Sequence, residues 1–273
     1  MSGVFPELNS LSLSELQERF RGAPTEDPDL WYDELAVTIR QRFPDEGASF
    51  LRGEVAWDDP DRLAAILLAI TWFDERDSHH ADLVIECLEH PDEHVVAIAI
   101  EDLAGLGGCG LTERVLALGA DPRELVRGAV LRFARQVAPD RAPALLLGAL
   151  DDPHYIVREN AIDELDELEC TPALPRIEAL LRDAHPHVRQ SALWMIANLA
   201  PSSEAIPLLL EALHDPEATV RCAAVEHLGE SKEFNDLDVF ERMLEDPDED
   251  VRWHARDALD RRMPDSAGSA DPP

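Results

Sequence analysis

Across residues 157–165 the apolar side chains fall at Val157, Ala161, Ile162 and Leu165. That spacing is one face of a helix of period 3.6. The stretch before it, residues 142–150 (APALLLGAL), reads as a second helix. Asp151-Asp152-Pro153 separates the two. Proline disfavours a helical conformation in the residue before it and suits the first turn of the helix that follows. The other junctions carry similar turn chemistry, at Ala138-Pro139-Asp140 and at Ala200-Pro201-Ser202-Ser203. No segment alternates with period two among β-branched residues, so no strand is predicted.

The two-helix pattern recurs. Val-Arg occurs at Val126-Arg127, Val157-Arg158, Val188-Arg189, Val220-Arg221 and Val251-Arg252, at spacings of 31, 31, 32 and 31. An aspartate stands six residues before each arginine: Asp121, Asp152, Asp183, Asp215 and Asp246. Proline follows four of them directly; Ala184 takes that place in the fifth, with Pro186 two residues on. Two degenerate copies precede these. Pro91 comes before Val95-Val96, with His90 in the aspartate's place, and Pro60 comes before Ala64-Ala65. One helix pair cannot bury its apolar face alone, whereas stacked pairs share a continuous core. The expected fold is therefore an all-α, right-handed solenoid of about seven helix–turn–helix repeats. The aspartates are expected to accept backbone N–H groups near helix N-termini. The arginines are expected to reach the aspartate of their own or a neighbouring unit, a structural ladder that sets repeat register.

The ends depart from this pattern. Ser12-Leu13-Ser14-Glu15 before Leu16 suggests a short capped helix. Residues 29–43 form a stronger helix ended by Pro44, and residues 49–57 another. Residues 1–58 are expected to be a helical cap, 59–263 the solenoid, and 264–273 (PDSAGSADPP) a disordered tail.

Asp-Pro, then Val-Arg, then Ala and Leu at helical spacing resembles the HEAT repeat, with its armadillo-type fold. The 31-residue period is most similar to the short bacterial HEAT-like class first described in phycobilin lyases. The resemblance spans residues 60–263 and is strongest from Asp121 onward. It implies fold more than function, since members include scaffolds, bilin lyases, a di-iron hydroxylase and DNA glycosylases. The hydroxylase relatives use His-Glu dipeptides as metal ligands, and none of the ten histidines here is followed by glutamate.

Composition narrows the classes further. The formal net charge is −33, which opposes nucleic acid and anionic membranes and argues against the basic groove a glycosylase needs. A single lysine, Lys232, stands against 23 arginines. The acidity is either a solvated, self-repelling surface, adaptation to salt included, or a match to a basic partner. Cys87, Cys109, Cys170 and Cys222 lie too far apart for a Cys-x-x-Cys site and read as reduced, mostly buried thiols. Residues 1–10 lack the pattern of a secretory signal, and no apolar run is long enough to span a bilayer, so the expected location is the cytoplasm. His79-His80 beside Asp82, and His185 with His187 around Pro186, are poor chelates and read as surface or turn residues. Residues 105–110 (GLGGCG) read as an inter-helix loop with Cys109 a candidate exposed thiol, although no histidine lies close by in sequence. No phosphate loop, catalytic constellation or cofactor motif stands out.

A partner surface follows from the helix that opens with Val-Arg, which lines the concave side in HEAT-type solenoids. With the valine as zero, positions 0, 4, 7 and 8 face the core, and 2, 6 and 9 face outward. The outward set is Gly128, Arg132 and Arg135; Glu159, Asp163 and Asp166; Gln190, Trp194 and Ala197; Cys222, Glu226 and Gly229; and Trp253, Asp257 and Asp260. From it, Arg132, Arg135, Glu159, Asp163, Gln190, Trp194, Glu226, Trp253 and Asp257 are the candidate partner contacts. Tryptophan is enriched in binding hot spots, and either it is used there or the next helix covers it. Residues 113–141 hold six arginines against four acids, so one end of the stripe is expected to be basic unless this is ordinary surface charge. The leading expectation is a non-enzymatic scaffold or adaptor. An acidic inhibitor of the immunity type, neutralising a basic protein such as a nuclease, is the alternative. A lyase-like HEAT-repeat enzyme is the third.

Overall fold

The computed structural model describes residues 6–22, 28–71 and 78–262. They fold into 16 α-helices, with no strand among the described residues. None of these helices is long and apolar enough to cross a membrane. The expected disordered tail, 264–273, lies outside the described residues. Two compact units divide between Ala142 and Pro143. Each is described by itself.

The first unit holds α1 (Leu13–Arg21), α2 (Pro28–Arg42), α3 (Pro44–Gly53), α4 (Pro60–Thr71), α5 (Ser78–Cys87), α6 (Glu93–Gly105), α7 (Thr112–Ala117) and α8 (Glu124–Val137). Ser12 and Glu15 close a capping box on α1, each accepting the other's backbone N–H. Pro44 does not merely end α2. It opens α3 at the first helical position, where its missing N–H is no loss. The helix expected over 49–57 is therefore shifted to Pro44–Gly53. Helices α2, α4, α6 and α8 pack in sequence, each against the next. Helix α2, assigned to the cap, thus stands in the same row as the repeats. Leu35 and Ile39 of α2 are fully buried in one core with Leu16 and Phe20 of α1 and Ile66 of α4. Between α6 and α7, Gly107, Gly108 and Gly110 all take positive φ. A Cβ on Gly108 would lie 2.7 Å from Val137 Cγ1, so the loop both turns and packs tightly at that point.

The second unit holds α9 (Ala142–Ala149), α10 (Tyr155–Glu167), α11 (Leu174–Leu180), α12 (Pro186–Leu199), α13 (Ser202–Ala212), α14 (Ala218–Glu230), α15 (Leu237–Met243) and α16 (Glu249–Arg262). Helices α10, α12, α14 and α16 form a row, flanked by α11, α13 and α15. Their valines at position zero, Val157, Val188, Val220 and Val251, are buried, as are Ala161, Ala192, Ala224 and Ala255 four residues on. Position seven is less uniform: Glu164 is buried there, and His227 is half-buried. Two glycines do not behave as outward positions. Gly128 is buried in α8. A Cβ on Gly229 would lie 2.9 Å from that of Ala258, so α14 and α16 come too close there to present a surface.

The Asp/Arg pattern is a set of lateral clasps. Arg221 donates from Nε and Nη2 to both carboxylate oxygens of Asp246 in the following turn, at 2.8 Å each. Its Nη1 donates to the carbonyls of Asp215 and Pro216 in its own turn, at 2.9 and 3.0 Å. Arg158 and Arg189 repeat this with Asp183 and Asp215. Arg127 and Arg252 hold their own turn's carbonyls in the same way. Each aspartate also accepts the backbone N–H two residues on, at 2.8–2.9 Å. These N–H groups belong to residues outside the helix, not to the first helical turn, so the carboxylate shapes the turn and does not cap the helix.

One clasp is inverted. Val96 stands where an arginine would, and Arg123, in the following turn, supplies the guanidinium. Its Nε and Nη2 take Asp121 at 2.8 Å each, and its Nη1 takes the carbonyls of His90 and Pro91 at 3.0 and 3.2 Å. Those carbonyls lie six and five residues before Val96, as in the other turns. His90 replaces the aspartate by accepting the Asp92 N–H at Nδ1 (3.1 Å), which leaves Nε2 to donate to the Trp57 carbonyl at 3.0 Å.

Two expectations are corrected. Only Cys87 is a buried thiol, pushed up to about 12 by desolvation. Cys170 and Cys222 are half-buried, while Cys109, the candidate exposed thiol, is exposed in the glycine loop. The arginines of residues 113–141 also fail to form a basic end. Arg114, Arg123, Arg132 and Arg141 are bridged to Glu89, Asp121, Glu101 and Glu113 at 2.5–2.9 Å. Their charge is answered where it stands.

Candidate partner-binding surface

In the second unit, the outward residues of α10 and α12 meet in a groove of about 360 Å³. Glu159, Asp163, Asp166, Glu167, Gln190, Ser191 and Trp194 line it. Four of these seven are carboxylates, and no lysine or arginine is among them. Asn198 Nδ2 donates to Asp166 at 2.9 Å. His187 Nδ1 lies 3.7 Å from Glu159 at one end.

Asp163 is exposed, yet the groove walls displace part of the water around it. Burial accordingly pushes its carboxyl up to about 6. A hydrogen bond from Ser191 works against that rise, and the charges of Glu159, Glu164 and Asp166 add to it. A carboxyl raised in the folded state destabilises the fold once ionised. The loss begins as pH climbs past the unfolded value and is complete above about 6. Asp163→Asn is therefore expected to raise the melting temperature at pH 7 by about 2 °C, a modest figure because the side chain is exposed. At pH 4 the two proteins should melt together, as calorimetry at both pH values would show.

Trp194 is 43% exposed and Trp253 57%, so no neighbouring helix covers either. The Trp194 indole meets the His227 ring edge to face, centroids 5.2 Å apart. Desolvation holds His227 below its ordinary value, against the pull of Glu226, Glu230 and Asp166, so it is neutral at pH 7. It props the indole without adding charge. Trp253 lies edge-on to His254, and Asp257 is held by Arg261 at 2.5 Å. Glu226 is half-buried. In the first unit Arg132 is exposed but bridged to Glu101, and Arg135 is half-buried.

Sequence reasoning missed Ser191, Asn198 and His227. They stand at positions 3, 10 and 7 of the repeat, beside the outward set, where curvature decides exposure. It also missed Trp57, which is 43% exposed and packs on His90 in the first unit. Among the described residues no group of three or more His, Cys, Asp or Glu side chains could hold a metal ion. His185 is stacked on Tyr155 with centroids 3.4 Å apart, a packing role, while the side chains of His79 and His80 lie outside the description.

Comparisons with known proteins agree with this architecture. The family model for HEAT repeats matches residues 173–260. Among solved structures, the chain is similar to Escherichia coli YibA, with a TM-score of 0.65 and 18% identity over 95% of this chain and 96% of that one. It also aligns with the CpcE–CpcF complex of phycocyanin lyase from Nostoc, with 19% identity over 92% of each chain. The TM-score of 0.42 is too low to carry an argument. No curated protein sequence matches significantly. Residues 173–260 thus match the HEAT repeat, and the described residues share an all-helical, HEAT-like fold with YibA.

Proposed function

We propose that the protein is a non-enzymatic interaction module that binds a protein partner along the outward face of the Val-Arg helices. The observation that carries this reading is the pair of exposed tryptophans on that face, Trp194 and Trp253. Leaving a large apolar ring in water is unfavourable, and tryptophan repays it best by entering a partner's pocket. Glu159, Asp163, Gln190, Glu226 and Asp257 surround them as the polar rim. In the first unit, Arg132 and Arg135 on α8 are candidate contacts in their own right.

The double variant Trp194→Ala/Trp253→Ala is expected to lose capture of its partner from native-host lysate, by a factor of ten or more. Its melting temperature should stay within about 2 °C of the parent, since neither ring is buried. Unchanged capture removes these residues from the interface.

The charge of −33 and the carboxylate-lined groove favour one second reading, an acidic protein that neutralises a basic one. Such binding would weaken steeply with salt and gain most of its advantage in association rate.

A further inference from the structure

We infer that the α10–α12 groove seats an arginine side chain from a cationic polypeptide segment, its guanidinium forked onto Asp163 and Asp166 and stacked on the Trp194 indole. This rests on the interaction reading above and names the chemistry of the occupant.

The first argument is the contrast between two sets of acids in one unit. Asp183, Asp215 and Asp246 each meet an arginine in two bonds of 2.7–2.8 Å. The groove carboxylates meet neutral donors instead, Ser191 and Asn198, with a histidine only at the far end. Desolvation chiefly, and the charges of Glu159, Glu164 and Asp166 after it, raise the Asp163 carboxyl, so holding it ionised in this groove costs stability. Nothing in the fold of this unit gains from that placement, whereas a cation from outside would.

The second argument is the aromatic wall. Trp194 shares the groove with the acids and stands open to water. His227, perpendicular to it and neutral, sets the ring's orientation and does not compete as a cation. A guanidinium satisfies both walls at once: its flat face lies on an indole, and its edge forks onto carboxylates. Residues 163 and 166 are three apart on one helix and so project side by side. A lysine ammonium is a point charge that matches the acids but not the plane. A nucleic acid brings the wrong sign. Long-range attraction toward a chain of charge −33 would steer a cationic segment in.

The test measures binding of fluorescein-labelled nona-arginine to the full chain by anisotropy, at neutral pH and about 0.15 M salt. A chain this acidic attracts any polycation, so the comparison is between variants of equal charge. Asp163→Asn/Asp166→Asn and Trp194→Ala are each expected to weaken binding about tenfold. Glu241→Gln/Glu245→Gln, on the exposed side of α15 and the turn after it, should change it less than about twofold. Trp194→Phe should recover part of the loss, and nona-lysine should bind the parent more weakly than nona-arginine. Equal weakening by both charge-matched pairs, or no effect of Trp194→Ala, would overturn the proposal in favour of diffuse attraction. Lysate capture separates this from the broader reading. Capture lost in Trp194→Ala/Trp253→Ala but kept in Asp163→Asn/Asp166→Asn leaves the interaction module standing and removes the arginine. Capture unchanged in both removes both.

Discussion

Arg221→Ala is expected to lower the unfolding free energy by about 3–4 kcal/mol, among the largest effects of any single change in the second unit. The side chains of Arg221 and Asp246 are only 11% and 7% exposed. Removing the guanidinium leaves a carboxylate with little access to water and one remaining donor, the N–H of Asp248. It also frees the carbonyls of Asp215 and Pro216. The cost is mostly that of the unpaired charge, so Arg221→Met/Asp246→Asn should recover about half of it, because Asn keeps an acceptor for Asp248 and carries no charge. The pH dependence has a definite sign. The Arg221 guanidinium holds the Asp246 carboxyl below the ordinary aspartate value of 3.8. A depressed acid contributes stability above that value and loses it as pH falls through the lowered one. Urea titrations at pH 7 and near pH 2 should therefore show the gap between parent and Arg221→Ala closing in acid. A constant gap would mean that Arg221 acts through packing alone.

The clasps also matter for the surface. Each ties one Val-Arg helix to the turn that opens the next, so the distance between neighbouring outward faces is held from one edge. A groove whose walls are α10 and α12 depends on the clasp of Arg158, which donates to Asp183 at 2.7 and 2.8 Å and to the carbonyls of Asp152 and Pro153 at 2.8 and 3.2 Å. Weakening it should loosen the groove before it unfolds the unit, because stability in a repeat array is largely a sum of neighbour terms.

Much of this was legible in the chain because the signal is periodic. Val126, Val157, Val188, Val220 and Val251 set the helical phase, and buried positions 0, 4 and 8 follow from 3.6 residues per turn with no further information. That phase also put Trp194 and Trp253 outward. What was not legible depends on distances between helices. Gly128 and Gly229 fit the outward phase, yet Gly128 is buried and Ala258 Cβ crowds Gly229. The arginines of residues 113–141 looked like a basic end, because the acids that answer them, Glu89 in the turn after α5 and Glu101 on α6, are far away in sequence. The boundary at Ala142 leaves no mark, since the repeat phase runs through it unbroken. Nor does sequence alone show that Asp163 sits where water is partly displaced. The groove depends on how α10 and α12 lie against each other.

Arg123→Ala is the sharpest test of whether the clasp is a geometric requirement or a habit of sequence. In its turn the arginine of the pattern has become Val96, a buried apolar residue that offers the carbonyls of His90 and Pro91 nothing. Arg123 meets the same needs from the opposite side, reaching back to those carbonyls while both oxygens of Asp121 face its own Nε and Nη2. Its guanidinium holds the Asp121 carboxyl below the ordinary range, so the pair is ionised at neutral pH. If the joint between these turns needs a guanidinium, Arg123→Ala should cost about 2–3 kcal/mol, less than Arg221→Ala because Arg123 is 28% exposed. Arg123→Lys should recover only part, since an ammonium cannot fork onto a carboxylate and two carbonyls together. Hydrogen exchange should show the loss first at the start of α8 and at the turn around Pro91, where the clasp joins two segments 32 residues apart. A cost below about 0.5 kcal/mol would mean that α6 and α8 hold their register through buried contacts alone, Val95, Val96 and Ala99 against Val126, Val130 and Phe133.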